Sequence, residues 1–406
     1  MTTILKMIRE IASRFIAIIF GIFAAWLLIE ILLRVAYPVL PYIIKTPLRY
    51  MHVTPFSDTR MLPIPVIEYD NEFQVITRNH LENVLQYFVP SVPLHVTTSN
   101  WLDPNSHVGF RVPSSDWEPR WPVEALFVGD SFTFCFTEYE DCWVQILSEK
   151  YGMSVVNMGQ GATGNISHLH ILQKFGLLYE PKLVVWQWYG NDYNEDYGMA
   201  TSYMGLEPVE PPTPKPAPPP QSPFEEWLNA NSAVYIIYNL FHSTEAEQYQ
   251  HTRFVDPYHV QDEGLDIYFG RDATMTGHDV SLPRNEVGVE LSQQAIRDAR
   301  DLLDQAGIPL MLVLIPTKEE VYARWTEPIL GKDALDAVRE GRQRMLDFCE
   351  EEGFVCLDMM EALIAAADEG QQVYFVQDNH INAAGNAIVA DTVWKFLQAQ
   401  QLIATP

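Results

Sequence analysis

Residues 125–136 read ALFVGDSFTFCF. Four apolar residues, Ala125 to Val128, run into a glycine, an aspartate and a serine, and the chain then becomes apolar again at once. A short apolar run bounded by turn residues is the pattern of a parallel strand buried on both faces. Gly129, Asp130 and Ser131 then fall at the strand's carboxyl end, which is where open α/β sheets gather ligands and reacting groups.

The pattern recurs on both sides of this stretch. Further strand-like runs fall at 153–159, 182–188, 309–316 and 354–359, with helical periodicity near 139–150, 165–178, 289–306, 333–352 and 382–400. Strand, helix, strand in repetition predicts a parallel sheet with helices on both faces. A long insertion separates the third strand from the fourth. It begins with EPVEPPTPKPAPPPQSP (207–223), whose prolines favour an extended, solvated spacer. FEEWLNANSAVYIIYNLF (224–241) follows and reads as one amphipathic helix, with an irregular, aromatic-rich stretch from there to about 285. An insertion at the carboxyl end of a sheet strand is placed to cover the site, so a lid is expected.

Charge and hydropathy narrow the setting. The chain has 406 residues, with 26 Lys and Arg against 53 Asp and Glu, a formal net charge of -27. Such a surface repels phosphate backbones and anionic headgroups, which argues against nucleic acid and against a polybasic membrane contact. The amino terminus departs from this picture. Phe15 to Leu33 are almost all apolar, and at about 1.5 Å rise per residue they span roughly 28 Å, close to a bilayer core. Lys6, Arg9 and Arg14 precede the run, so an uncleaved anchor with a cytoplasmic amino end and an exported remainder is expected. Glu30 interrupts the run near its outer end, one turn before Arg34. In an oxidising compartment the pairs Cys135/Cys142 and Cys349/Cys356, each seven apart, allow two local bridges; four buried thiols are the equal alternative.

Four segments carry candidate chemistry. Ser131 is either a nucleophile or an N-cap, since Ser and Asp are both favoured caps; Thr133 in place of the last glycine of Gly-x-Ser-x-Gly argues against an α/β-hydrolase elbow. NMGQGATGN (157–165) has glycines that bring backbone N–H groups close to a ligand, and lacks the lysine of a phosphate loop. In YGND (189–192), Asn191 offers a side-chain donor or simply forms a turn. In YFVQDNHINAAGNAIVA (374–390), Asp378 and His380 stand two apart, as a general base and its orienting acceptor would. His168 and His170, two apart on an expected helix, read as packing or surface residues.

Taken in order, these blocks resemble the SGNH/GDSL hydrolases over about 124–192 and 286–395, down to a PTKEEVY stretch (316–322) ahead of the Asp/His pair. The resemblance implies a three-layer α/β/α fold with a mostly parallel, flavodoxin-like five-stranded sheet. It implies Ser131 as nucleophile, His380 as base and Asp378 as its orienter, with an oxyanion hole from Ser131 N–H, a loop N–H at Gly161 or Ala162, and the Asn191 side chain. The family's usual spacing is Asp-x-x-His, whereas this chain has Asp-x-His. No metal or organic cofactor is implied.

The expected organisation is a tail and transmembrane anchor at 1–38, a stalk and β-rich segment at 39–120, a catalytic domain from 121–200 and 286–406, and the linker and lid at 201–285. The expected activity is an extracytoplasmic O-acetyl or acyl esterase acting on cell-envelope glycans or small esters. Trp186, Trp188 and Tyr189 are either sugar-stacking or core residues. The alternatives are an O-acetyltransferase of the same fold and a catalytically silent envelope scaffold. The expected partners are an acylated substrate and the membrane, and the sequence leaves the oligomeric state open.

Overall fold

Five strands form the central sheet of the computed structural model: β1 (Ala125–Val128), β2 (Val155–Asn157), β3 (Val184–Tyr189), β4 (Leu310–Ile315) and β5 (Val355–Asp358). The structure describes residues 2–37, 40, 48, 66–86, 88–89, 92–210, 222–242, 258–262, 264–270 and 277–403. The strands lie in the order β5-β4-β3-β1-β2 and every neighbouring pair is parallel. The chain fills one side of β1 with β2 and then crosses to β3, so the winding reverses at β1 and opens a crevice beyond the carboxyl ends there.

Alternate residues of a strand point to opposite faces, and two apolar cores follow from that. Leu126, Val128, Trp186, Trp188, Leu312 and Leu314 pack with the helices Asn165–Lys174 and Pro283–Ala306. Phe127, Val185, Tyr189, Met311, Val313 and Ile315 pack with the helices Trp143–Tyr151 and Ala383–Ala399 on the other face. Both faces are covered, which is why β4, LMLVLI, is apolar throughout and wholly buried.

Among the described residues, the helices Asp192–Tyr203, Ala323–Leu330 and Met360–Asp368 lie outside the expected helical ranges. Asp192–Tyr203 follows β3 and turns Asp192 and Asp196 inward, so its buried side is partly acidic and periodicity cannot reveal it. Met360–Asp368 follows β5. The stretch 224–241 is two helices rather than one, Pro223–Asn231 and Ala233–His242, broken at Ser232, whose backbone is extended. Within the insertion, His259–Asp262 and Leu265–Tyr268 form a hairpin where irregular chain was expected. Of the proline-rich spacer, residues 211–221 lie outside the described residues, as do 49–65 of the expected stalk. Three short antiparallel ribbons occupy 67–111.

The chain divides into two compact units, residues 64–213 with 254–406 and residues 1–63 with 214–253. The first holds the sheet. The second holds the helix Thr2–Val35, whose segment Ala12–Val35 is long and apolar enough to cross a membrane, and the helix pair at 223–242. Cys135 is bonded to Cys142, and Cys349 to Cys356, with Cα separations of 5.5 and 6.2 Å.

Candidate active site

Ser131 opens a single helical turn, Ser131–Phe134, directly beyond β1, and is 8% exposed. Asp130 caps that turn, its carboxylate accepting the Phe132 N–H at 2.8 Å. From β3, Gln187 Oε1 accepts the Asp130 N–H at 3.1 Å and the Thr133 hydroxyl at 2.9 Å, so a buried amide on the neighbouring strand fixes the turn. Thr133 thus has a structural use at the position where an α/β-hydrolase elbow has glycine. The chain leaving the turn is held by Arg111, buried to 1%, whose guanidinium donates to the carbonyls of Phe134 (3.0 Å), Thr137 (2.6 Å), His95 (3.2 Å) and Cys135. Burial pulls its pKa down to about 10, which leaves it cationic at neutral pH.

Asp378 and His380 lie on a tight turn closed by the bridge Tyr374–Ile381 and by the Phe375 N–H on the His380 carbonyl at 3.0 Å. The turn returns Asp378 Oδ1 to within 2.5 Å of His380 Nδ1 and 2.9 Å of the His380 backbone N–H. His380 Nε2 is 2.7 Å from Ser131 Oγ. Phe132 and Phe136 flank the imidazole with ring centroids 4.7 and 4.2 Å away. Burial alone would raise the Asp378 pKa; the His380 charge and hydrogen bonds, with the Lys318 charge, outweigh it and hold the carboxyl below its ordinary value. A carboxylate on Nδ1 fixes the proton there and leaves Nε2 to accept the serine hydroxyl. The spacing Asp-x-His thus still places a carboxylate on Nδ1, because the turn folds it back onto its neighbour.

The PTKEEVY stretch braces this turn. Lys318 Nζ donates to the Asp378 carbonyl at 3.0 Å, and the Tyr322 hydroxyl accepts the Val373 N–H at 2.8 Å. From the insertion, the Tyr268 N–H donates to the Val376 carbonyl at 2.8 Å.

The glycine loop after β2 runs close against the serine turn. A Cβ on Gly159 would lie 2.3 Å from the Phe134 nitrogen, so only glycine fits. Gln160 ties the loop down: its N–H donates to the Gly129 carbonyl at 3.0 Å, and its side chain accepts from Thr77 N–H at 2.6 Å and donates to the Gly109 carbonyl at 3.1 Å. Gly161 is buried, whereas Ala162 is exposed with a left-handed φ of 57°. Asn191 stands at the N-cap of Asp192–Tyr203, beyond β3. Beside it, His278 packs edge-on to Tyr189, with centroids 4.9 Å apart, and a Cβ on Gly190 would lie 2.3 Å from its Nδ1. Burial pushes His278 down to about 4, so it is neutral.

Beneath the crevice lies a set of acids that sequence reasoning missed. Asp196 accepts the Ile166 N–H at 2.8 Å, Asn165 Nδ2 at 3.3 Å and the Ser292 hydroxyl. Asp192 accepts the Tyr189 N–H and Asn165 Nδ2, both at 3.3 Å, and Glu195 accepts Gln74 Nε2 at 2.9 Å. Burial raises all of them, Asp196 to about 6, Glu195 to about 7 and Asp192 well above its ordinary value; Asp130 is raised to about 6 in the same way. The available signal was Asp192, Glu195 and Asp196 following a strand end at one-turn spacing.

Other sequence candidates fall away from the chemistry. Trp186, Trp188 and Tyr189 are 0%, 0% and 3% exposed and belong to the two cores, so none is open to a sugar. Trp186 instead donates its Nε1–H to Asn165 Oδ1 at 2.7 Å. His168 is buried against Trp186 and pushed down to about 3, while His170 meets the Glu72 carbonyl at the surface.

Residues 270–406 match a family model described as the SGNH hydrolase-like domain of acetyltransferase AlgX. The matched part contains Asp378 and His380; Ser131 and Asn191 precede it. Among solved structures, a member of the lipolytic protein G-D-S-L family from Veillonella parvula is 12% identical, with 67% of this chain and 96% of that chain covered and a TM-score of 0.36. An acetyl xylan esterase, AlAXEase, is 13% identical over 67% and 98% of the two chains, also at 0.36. A catalytic mutant of an acetylxylan esterase from Geobacillus stearothermophilus is 12% identical over 68% and 93%, again at 0.36. No curated protein matches the chain.

Proposed function

We propose that this chain, whose residues 270–406 match an SGNH hydrolase-like domain, is a membrane-anchored SGNH/GDSL-type serine ester hydrolase that removes acetyl or other short acyl groups outside the cytoplasm, from cell-envelope glycans or small esters. The observation that carries the reading is the relay at the sheet's carboxyl edge: Ser131 Oγ, His380 Nε2 at 2.7 Å, and Asp378 2.5 Å from Nδ1. Ser131 attacks the ester carbonyl while His380 takes its proton, and Asp378 stabilises the imidazolium. The Ser131 N–H, a loop N–H at Gly161 and the Asn191 side chain hold the tetrahedral oxyanion, each donor contributing about 3 kcal/mol. The imidazolium then protonates the leaving alcohol, and water, deprotonated by His380, releases the acyl group from Ser131.

The name of the matched domain is equally compatible with a second reading, in which a glycan hydroxyl replaces that water and the enzyme is an O-acetyltransferase. The two differ only in the acceptor.

The deciding experiment treats the detergent-solubilised chain and its Ser131→Ala variant with a fluorophosphonate probe and with 4-nitrophenyl acetate, butyrate and octanoate. Labelling and turnover present in the parent and absent from the variant support the serine nucleophile. Release of acetate that falls when glycan is added, with acetylated glycan appearing, selects the transferase. A folded parent that does neither overturns both, as would a Ser131→Ala strain that keeps every phenotype of its parent.

A further inference from the structure

Glu30 is buried to 4% in a helix whose neighbouring Leu28, Ile29 and Leu32 are 58%, 46% and 55% exposed. Its carboxylate accepts the Ser232 hydroxyl and the backbone N–H groups of Ala233 and Val234, the latter two at 3.0 Å each. These are the first donors of the helix Ala233–His242, so an acid on one helix caps the amino end of another. Arg34, one turn on, bonds Glu30 at 3.1 Å and donates to the Asn231 carbonyl at 2.7 Å, at the carboxyl end of Pro223–Asn231. Acid and base thus each meet the helix end that their charge suits. Ala233, Ile236 and Ile237 pack with Leu33, Tyr37 and Leu40 around this junction.

The junction has a depth. The apolar run that begins after Arg14 at Phe15 ends at Leu33, and Glu30 lies three residues, about 4.5 Å, short of that outer end. Ser232 is therefore held within one helical turn of the outer boundary of the bilayer. The helices beside it expose large aromatics: Phe224 at 66%, stacked on Trp227 at 52%, and Tyr238 at 55%. Residues 223–242 contain Glu225 and Glu226 and neither Lys nor Arg, so attraction to anionic headgroups plays no part.

We propose that residues 223–242 are an interfacial membrane element, pinned to the anchor by Glu30 and Arg34 and seated by its aromatics among the lipid headgroups. This rests on the reading of the amino-terminal helix as a membrane anchor. The chain, having left the membrane after Val35 and built three strands of the sheet, returns to its surface within the insertion. Aromatic rings favour that level, and the apolar face of an interfacial helix settles at the boundary between headgroups and acyl chains.

The test uses the full chain in phosphatidylcholine nanodiscs. All four cysteines are paired, so Trp227→Cys and, separately, Phe20→Cys each provide one thiol for an environment-sensitive dye. The expected result at 227 is quenching by a nitroxide at the lipid 5-position about twofold stronger than at the 12-position, protection from aqueous iodide, and no change when anionic lipid or salt is added. Glu30→Ala should raise iodide access at 227 about threefold and leave 20 unchanged. A label at 227 open to iodide and blind to lipid nitroxide overturns the proposal; a label shielded from both overturns it in favour of a protein partner. If the label at 20 also escapes lipid quenching, the anchor reading itself has failed. Should Glu30→Ala fail to fold, the label at 227 in the unaltered background decides alone.

Discussion

The carboxylate of Asp378 binds the same residue twice: Oδ1 lies 2.5 Å from His380 Nδ1 and accepts the His380 backbone N–H at 2.9 Å. The backbone bond fixes the turn and the ring bond fixes the tautomer. Asp378→Asn keeps the size but not both roles: with Oδ1 in place it keeps the two contacts without the charge that steadies an imidazolium, and with Nδ2 there it gives up the backbone bond and favours a proton on Nε2, facing Ser131. Turnover of 4-nitrophenyl acetate is expected to fall about ten-thousand-fold with KM little changed. A loss smaller than tenfold would remove Asp378 from the relay. The carboxyl's depressed pKa also stabilises the fold above its unfolded value of 3.8 and ceases to do so as pH falls through the folded value. Thermal unfolding of parent and Asp378→Asn should therefore converge as pH falls below the folded value.

Gly190 and His278 form a coupled pair. With a Cβ at 190 lying 2.3 Å from the imidazole, Gly190→Ala is expected to displace either the ring or the peptide that leads into Asn191. Activity should drop at least tenfold, and His278→Ala added to Gly190→Ala should recover much of it. Comparison of kcat/KM for both single variants and the double variant measures the coupling. Purely additive losses would refute the contact.

Glu195 sets a pH dependence of stability. Its pKa is raised by burial from an ordinary 4.5 to about 7. The folded chain thus holds a proton that the unfolded chain releases, so the contribution is fully present below about pH 4.5 and is lost as pH rises through about 7. Glu195→Gln, still able to accept from Gln74, should leave the melting temperature at pH 4.5 unchanged and raise it by a few degrees at pH 8. Equal melting curves at pH 8 would place Glu195 in solvent.

Arg111 is expected to hold the loop after Ser131. Arg111→Met fills the space and leaves four carbonyls without their donor, which costs about 3 kcal/mol of stability in urea titration. Fluorophosphonate labelling of the folded variant should slow as well, because Ser131 then opens onto an unheld turn. An unchanged urea midpoint would show that the carbonyls find other partners.

The sequence by itself determined the parallel strands and the position of Ser131 at a strand end, because continuous apolar runs and their terminating turns are local consequences of burial on both faces. It also isolated Asp378 and His380, as a polar turn before an apolar helix. What it could not reveal were groups whose burial is set by distant chain. Asp192, Glu195 and Asp196 carry no local sign of burial, which comes only when the helix that bears them packs against Asn165 and Ser292. Glu30 likewise reads as an irregularity in an apolar helix until the amino end of another helix arrives from Ser232. Only the tertiary structure brings His380 to Ser131 across 249 positions, because which polar groups share a dry space depends on how the elements cross, and no local pattern records that.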